Sequence, residues 1–350
     1  MHTIITNRSR QRNSDEELAP PSISTRAFIQ WLPDPKTEPT STLVLTSSEK
    51  FYVDIRVLRK RNSISGENGK EKLRRQTTEE ETADLILSKD LDWAFAGRST
   101  SYKDESTGIT DSRWLHTVDS RFLARPTAFV DAALMEPEDP ETGLTLEKGA
   151  MMNPESGHEE AYVEGWLEIE PRDVPEPHCP APGDPWEDFE RGLPRRGIRF
   201  VECEPWVRRL STSNAILSLP ATSSEQQPLR ASKLDLRCVV LEHENAAKLS
   251  RGMVIRLGQF CQGVLQVGEE FAAERWEWTS RFGWRRMFVS GNLDMPCDVA
   301  CYMATKKLRA GSEVRYGVGD DRVWQVVEEH AWERFAEDRT SPPPLVAMAH

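Results

Sequence analysis

Short runs of alternating apolar and polar residues divide this chain, and prolines, glycines, asparagines and aspartates separate the runs. Thr, Val, Ile, Trp and Tyr are frequent within them, as is typical of strands. Many short strands at fairly regular spacing favour an antiparallel sandwich or barrel, so we predict an all-β protein with only short helices. The runs are 24–33, 41–60, 90–102, 111–122, 127–137, 144–153, 160–171, 198–210, 233–244, 252–268, 275–291 and 312–335, and the short helices are 244–250 and 296–308.

A proline-rich segment divides these runs into two groups. Residues 171–197 contain seven prolines, and proline cannot donate to a sheet ladder, so this segment is predicted to be a linker or a long irregular loop. The chain therefore has two predicted β domains. The expected divisions are a disordered tail at 1–22, a first domain at 23–173, a linker at 174–197, a second domain at 198–336 and a disordered tail at 337–350.

Composition excludes several classes of function. A hydrophobic content of 38% suffices for a packed core, and a net charge of −12 argues against general binding of nucleic acid or anionic membranes. The N-terminus lacks the apolar segment of a secretory signal, and no apolar run is long enough for a membrane-spanning helix. Six scattered cysteines suit a reducing compartment, so we predict a cytoplasmic protein.

The motifs of common catalytic sites do not occur. The sequence has no phosphate-binding glycine loop of the GxxxxGK[ST] or GxGxxG type, no HExxH or CxxC metal motif and no GxSxG nucleophile motif. We therefore predict no cofactor and no metal site. Glu164 and Glu168 would share one strand face, which leaves open a two-carboxylate hydrolase, although two acids on a strand are commonly a solvated face.

The strand that carries these acids has an unusual pattern. Tyr162, Glu164, Trp166 and Glu168 alternate with mostly apolar residues, so one face mixes aromatic and acidic side chains. Such a face is not cleanly polar, which indicates that both sides of the strand contact protein or ligand.

Aromatic residues recur at alternating positions and have two interpretations. They fill the barrels as core residues, or they line an apolar cavity in at least one of them. The segment RWEWTSRFGWRRMFVSG (275–291) poses the question most sharply, and we predict a hairpin there with a turn at 280–283. The candidate ligand-binding residues are Trp93, Phe95, Trp114, Trp166, Gln259, Trp276, Trp278 and Trp284.

Residues 59–81 are poor in apolar side chains and split into a basic and an acidic half. The segment is predicted to be a solvated, mobile insertion in a hairpin. The alternative is a phosphorylation or docking loop, because Arg59, Lys60 and Arg61 precede Ser63 and Ser65.

Three strings, DWAFAG (92–97), LGQFCQGVLQ (257–266) and GSEVRYGVGDDRVWQVVEEHA (311–331), resemble the fungal Hri family. The resemblance implies two tandem lipocalin-like antiparallel β-barrel domains, in agreement with the strand pattern. It also implies a protein kinase as a partner, because the founding member of the family is a partner of a casein-kinase-one-type kinase. The chain departs from the family pattern in its basic–acidic insertion, its longer proline-rich middle and its many tryptophans.

Two hypotheses of function follow. The first is a cofactor-independent cyclase, of the Diels–Alderase kind, that holds an apolar substrate of fungal secondary metabolism in an aromatic-lined cavity; shape and proximity would lower its barrier. Similar folds serve such enzymes, which is an analogy at the level of fold. The second is a non-catalytic protein that binds a small ligand or acts as a kinase-associated adaptor.

Overall fold

The computed structural model of the protein describes residues 20–59, 90–123, 129–174, 235–302, 308–317 and 322–333. Nearly every described element is a strand, and every strand pair is antiparallel, so the prediction of an all-β barrel fold is confirmed. The strands of the first half are β1 (Ser22–Trp31), β2 (Thr40–Thr46), β3 (Phe51–Leu58), β4 (Leu91–Lys103), β5 (Thr110–Asp119), β6 (Phe129–Met135), β7 (Leu144–Met152) and β8 (Glu159–Glu168).

These eight strands form a closed barrel in sequence order, and β8 pairs back onto β1. The closing register places Ile29 opposite Glu164 and Trp31 opposite Tyr162. Closure pairs the first strand with the last, and eight strands leave an interior just wide enough for side chains or one small ligand.

The second half contributes a seven-stranded sheet in the order β13-β12-β11-β10-β9-β15-β14. Residues 198–234, which we predict to begin the second domain, lie outside the described residues. The elements are β9 (Asp235–Asn245), a 3-10 turn (Ala246–Lys248), β10 (Ser250–Leu257), β11 (Phe260–Val267), β12 (Glu270–Thr279), β13 (Gly283–Ser290), α1 (Cys297–Tyr302), β14 (Glu313–Tyr316) and β15 (Arg322–Glu333).

Two of the predicted runs in this half are hairpins. The run 252–268 comprises β10 and β11, which are joined by a two-residue turn with Gly258 at φ +52°. A positive φ at the first turn position suits glycine in such hairpins. The predicted hairpin at 275–291 is confirmed, since its arms lie in β12 and β13 and Thr279 pairs with Gly283.

The barrel packs against this sheet through the outer face of β3 and its neighbours. In β3, Val53 and Ile55 point outward into a core that they share with Met253 and Ile255 of β10. Tyr52 and the other alternate residues of β3 point into the barrel. Because apolar side chains cover the outside at this contact, the polar and aromatic side chains of the same strand face the interior.

Buried polar side chains reinforce this contact. Gln262 of β11 is fully buried, and its Nε2 donates hydrogen bonds to the carbonyl oxygens of Leu43 (2.9 Å) and Val53 (3.0 Å). Arg275 of β12 donates from Nε to Gln262 Oε1 (2.9 Å) and from Nη2 to the Ile55 carbonyl (2.5 Å). Buried groups satisfied in this way are costly to separate, so the contact fixes the barrel against the sheet.

Several predictions fall outside the described residues. These are the two disordered tails beyond the first and last described positions, residues 60–81 of the predicted insertion and nearly all of the predicted linker. No helix in the described ranges is long and apolar enough to cross a membrane. The same ranges contain no group of three or more His, Cys, Asp or Glu side chains placed to hold a metal ion.

Candidate functional site

The interior of the first barrel contains a cavity of about 200 Å³. By the volume that water occupies in the liquid, about 30 Å³ each, this space equals roughly six or seven water molecules. Pockets for drug-sized ligands measure about 300–1,000 Å³, so this one suits a smaller molecule or part of a larger one.

Aromatic rings form much of the cavity wall. Trp93 and Phe95 of β4 lie next to each other, with ring centroids 4.3 Å apart, and Tyr52 of β3 meets Phe95 edge-to-face at 6.0 Å. Alternation along a strand puts residues i and i+2 on one face, which brings these rings together inside the barrel. The aromatic lining residues are Tyr52, Trp93, Phe95, Trp114, Tyr162 and Trp166.

A buried ion-pair network lies beside these rings. Arg56 of β3 binds Asp54 Oδ2 at 3.0 Å and Glu164 Oε1 of β8 at 3.2 Å, and Arg26 of β1 donates to the same Glu164 oxygen. Arg26 also pairs with Glu38 at 2.9 Å. Desolvating each of these ions costs several kcal/mol, and similar apolar residues often replace such networks without loss of stability. Burial of so many charges therefore indicates a role beyond stability.

Glu147 of β7 is the acid of the lining whose ionisation is most strongly affected. Burial and the adjacent Glu164 carboxylate raise the pKa of Glu147 to about 8, although the Tyr162 hydroxyl donates to its Oε1 at 2.7 Å. Burial likewise raises the pKa of Asp54, and the neighbouring Arg56 opposes that rise. Near neutral pH the Glu147 carboxyl therefore holds a proton beside the cavity.

Glu147→Gln is expected to stabilise the protein in alkali and to change little in acid. The pKa of Glu147 rises from 4.5 to about 8 on folding, so its favourable contribution is complete below about pH 4.5 and is lost as the pH rises through 8. Glutamine mimics the neutral acid. At about 1.4 kcal/mol per pKa unit, we expect the variant to gain up to about 5 kcal/mol near pH 9 and less than about 1 kcal/mol near pH 5.

Urea unfolding at the two pH values measures this difference. The matched control is Glu141→Gln, because Glu141 is an exposed glutamate in the β6–β7 connection. Equal effects of the two substitutions at both pH values would contradict the assignment of a proton to Glu147.

A β-bulge in β5 supports the aromatic wall. Phe95 pairs with Asp119 and Gly97 pairs with His116, so Thr117 is an extra residue in β5. The bulge puts His116 and Asp119 on one face although they are three residues apart. His116 Nδ1 lies 2.7 Å from Asp119 Oδ2, and Asp119 Oδ1 accepts a hydrogen bond from Trp93 Nε1 at 2.9 Å. The imidazole also stacks on Phe95 at 4.3 Å, which fixes both rings of the wall.

Two residues that line the cavity carry polar atoms without a hydrogen-bond partner among the described residues. They are the hydroxyl of Tyr52 and Oδ1 of Asp54. These residues are at most 3% exposed. Leaving a buried polar group unpaired costs about 1–3 kcal/mol, and exceptions of this kind indicate a missing ligand or water molecule.

The pairing between β6 and β7 is short. Both strands are fully described, and they pair only at Leu134–Lys148 and Met135–Glu147. Continuing that register would place Asp131 opposite Met151, and both residues line the cavity. These strand portions form no ladder pairs with each other, so main-chain hydrogen bonds do not close this part of the seam.

The candidate residues named from the sequence divide between the two halves. Four of them, Trp93, Phe95, Trp114 and Trp166, line the cavity together. Gln259 lies in the β10–β11 turn, where its side chain accepts from the Arg172 amide at 2.7 Å and donates to the Glu170 carbonyl at 3.2 Å. It therefore holds the segment after β8 rather than reaching the cavity.

The three tryptophans of the 275–291 hairpin lie in a second core. Trp276 and Trp284 are buried there with Met295 and α1, and Trp278 packs against the same cluster. Trp276 donates its indole N–H to Glu274 Oε2 at 2.8 Å. Of the two interpretations of the aromatic residues, core filling or a cavity lining, the structure therefore shows core filling for this hairpin.

Sequence reasoning singled out Glu164 and Glu168 but missed the other charged residues of the site. Asp54 and Arg56 lie in FYVDIRVL, where charged residues alternate with aliphatic ones, and Glu147 lies in the weaker pattern LTLEKGAMM. Such alternation ordinarily predicts a solvent-exposed charged face. The available signal was the similar mixture in β8, whose Tyr162 and Trp166 flank Glu164, and that strand was predicted to touch protein or ligand on both faces.

Comparisons with known proteins agree with this architecture. No curated protein matches the chain. A solved structure, the uncharacterized protein YLR301w from Saccharomyces cerevisiae, is similar in fold with a TM-score of 0.50 and 16% identity, over 89% of this chain and 99% of that one. The family model described as Protein HRI1 matches residues 22–328. By that match, which spans the barrel and most of the second sheet, the chain belongs to the HRI1 family.

Proposed function

We propose that the protein binds a small organic molecule inside its first barrel. The observation that carries this proposal is a cavity of about 200 Å³ whose lining residues include two with unpaired buried polar atoms. Aromatic walls with a few fixed polar groups are the usual composition of small-molecule sites. The second sheet covers the outer face of β2–β4 and serves as a rigid support.

Filling the cavity tests this function. Val44 of β2 lines the cavity, so Val44→Trp is expected to occupy much of its volume. The matched control is Val130→Trp, because Val130 of β6 is 51% exposed. A library of small fragments is screened by thermal shift against the wild type and both variants. We expect hits that stabilise the wild type and the control but not Val44→Trp.

Hits that stabilise all three proteins equally, or the absence of hits, would overturn the proposal. Circular dichroism checks that Val44→Trp is folded. If Val44→Trp is not folded, Thr145→Phe takes its place, because Thr145 of β7 also lines the cavity.

A cofactor-free cyclase of the Diels–Alderase kind, acting in fungal secondary metabolism, is the second candidate. It is favoured by Glu147, whose proton-holding carboxyl beside aromatic walls could protonate or polarise a carbonyl of a bound substrate. Wild-type protein would then cyclise a linear precursor that accumulates in extracts of a deletion strain, and Val44→Trp would not. A precursor that stays linear with the wild type would reject this candidate and leave ligand binding standing.

The kinase-associated adaptor stays a prediction from the family resemblance. The insertion at 59–81 would carry that contact, and residues 60–81 lie outside the described residues. The predicted cytoplasmic location likewise stays a prediction.

A further inference from the structure

We propose that the cavity of the first barrel takes a small organic cation, such as a protonated amine on an apolar group, which enters between β6 and β7. This inference rests on the proposed ligand-binding function and names the class of ligand. Three properties of the lining support it: an excess of carboxyl groups, aromatic rings without a cation over them, and an unpaired buried acceptor.

Acidic groups outnumber basic ones around the cavity. Five carboxyl groups line it, and Arg56 is the one cationic side chain of the lining. Adding Arg26 and Glu38, which complete the ion-pair network, gives six acids against two arginines. Glu168 is exposed, and Asp131 lies 3.2 Å from the His116 imidazole. If Glu147 holds a proton, three buried carboxylates, Asp54, Glu164 and Glu38, remain for the two arginines, which leaves one negative charge in the buried network. Burying uncompensated charge is costly, and a bound cation would relieve that cost.

The aromatic wall is suited to a positive group. The guanidinium carbons of Arg56 and Arg121 lie 5.0 and 4.4 Å from the Trp93 ring centroid, so this wall already accommodates cations. In the described part of the chain no Lys or Arg lies over the rings of Trp114, Tyr162 or Trp166. A cation within about 6 Å of such a ring gains about 0.5–2 kcal/mol, more when it is desolvated.

The lining also contains a buried hydrogen-bond acceptor, the carboxyl group of Asp54. Asp54 is 3% exposed and lines the cavity, and its Oδ1 has no partner among the described residues, while its Oδ2 binds Arg56. An ammonium group has only donors, so it satisfies this oxygen in a way that a carboxylate ligand cannot. An anion would meet the same oxygen as a like charge.

The seam between β6 and β7 also carries a carboxyl group. Asp131 lies on the unpaired part of β6, and its side chain is 27% exposed. It contacts the buried His116, whose Nε2 is 3.2 Å from Asp131 Oδ2. A carboxylate at the seam attracts cations and repels anions on their way into the cavity.

Three probes of similar size test the class of ligand: phenethylamine, 2-phenylethanol and phenylacetate. Isothermal titration with the full-length protein near neutral pH measures their affinities. We expect phenethylamine to bind at least about tenfold more tightly than 2-phenylethanol, and phenylacetate to bind most weakly. Asp131→Asn is expected to weaken the binding of the amine by about threefold to tenfold and to weaken the binding of the alcohol less. The matched control Asp34→Asn changes an exposed aspartate outside the lining and should affect neither probe.

The outcomes separate this inference from the proposed function. If the alcohol or phenylacetate binds as well as the amine, and Val44→Trp abolishes that binding, the cation is rejected and the binding site stands. If phenethylamine does not bind at millimolar concentration while fragment hits remain sensitive to Val44→Trp, the cation is again rejected. If no fragment depends on Val44, both proposals fail. Circular dichroism checks that Asp131→Asn is folded.

Discussion

Arg56→Met is expected to lower the free energy of unfolding by about 3–5 kcal/mol, because removing one partner of a buried ion pair leaves the other charges uncompensated. Arg56 is 8% exposed and binds both Asp54 and Glu164. Burial opposes its charged form, yet these two carboxylates raise the pKa of Arg56 above its ordinary value. Methionine keeps much of the side-chain length, so the loss measures charge rather than volume. Urea unfolding near neutral pH provides the measurement.

Two further variants distinguish this cause from a general loss of packing. Arg113→Met removes an exposed arginine, 64% accessible, that lies 3.5 Å from Asp111, and we expect a change below about 1 kcal/mol. The double variant Asp54→Asn/Arg56→Met removes both charges of one pair and should recover part of the stability lost in Arg56→Met. A double variant less stable than Arg56→Met would contradict the electrostatic explanation.

Local sequence patterns predicted the fold well because its strands are short, alternating and joined by recognisable turns. The runs at 111–122 and 160–171 correspond to β5 and β8, and the hairpin at 275–291 was placed with its turn. The register in which β1 pairs with β8 could not be predicted from such local patterns. It joins Arg26 to Trp166, 140 positions apart, and no local pattern carries information about that distance. The same holds for the packing of β3 on β10.

The candidate site was predicted in part for the same reason. Trp93 and Phe95 alternate within one strand, so their shared face was evident from the sequence. The alternation in β8 likewise indicated a face with both aromatic and acidic side chains. The aromatic residues of β12, however, alternate in the same way as those of β4. Trp276 became a core residue because Met295 and α1 cover it, and that contact depends on a segment some twenty residues further along the chain. Alternation shows that two rings share a face, while tertiary packing decides whether the face meets a cavity or a core.

Gly97→Ala is expected to destabilise the protein by about 3 kcal/mol or more and to disturb the wall of the cavity. Gly97 ends the DWAFAG string and lies at the bulge between β4 and β5. A Cβ there would stand 1.7 Å from the carbonyl oxygen of Leu115 and 3.1 Å from the amide nitrogen of Thr117. Those atoms belong to the backbone and cannot rotate away, so the strands must move apart.

Because the bulge places His116 beside Asp119, that movement would also release the hydrogen bond that holds Trp93. We therefore expect Gly97→Ala to bind fragments more weakly than its lost stability alone explains, as measured at a temperature where the variant is fully folded. The matched control is Gly157→Ala, since Gly157 has φ +70° and nothing within 4 Å of a Cβ. It should cost only about 1–2 kcal/mol for the left-handed conformation and leave binding unchanged. If Gly97→Ala bound fragments as tightly as the wild type does, the bulge would be needed only to close the barrel. Packing between the aromatic rings would then be sufficient to hold the cavity wall in place.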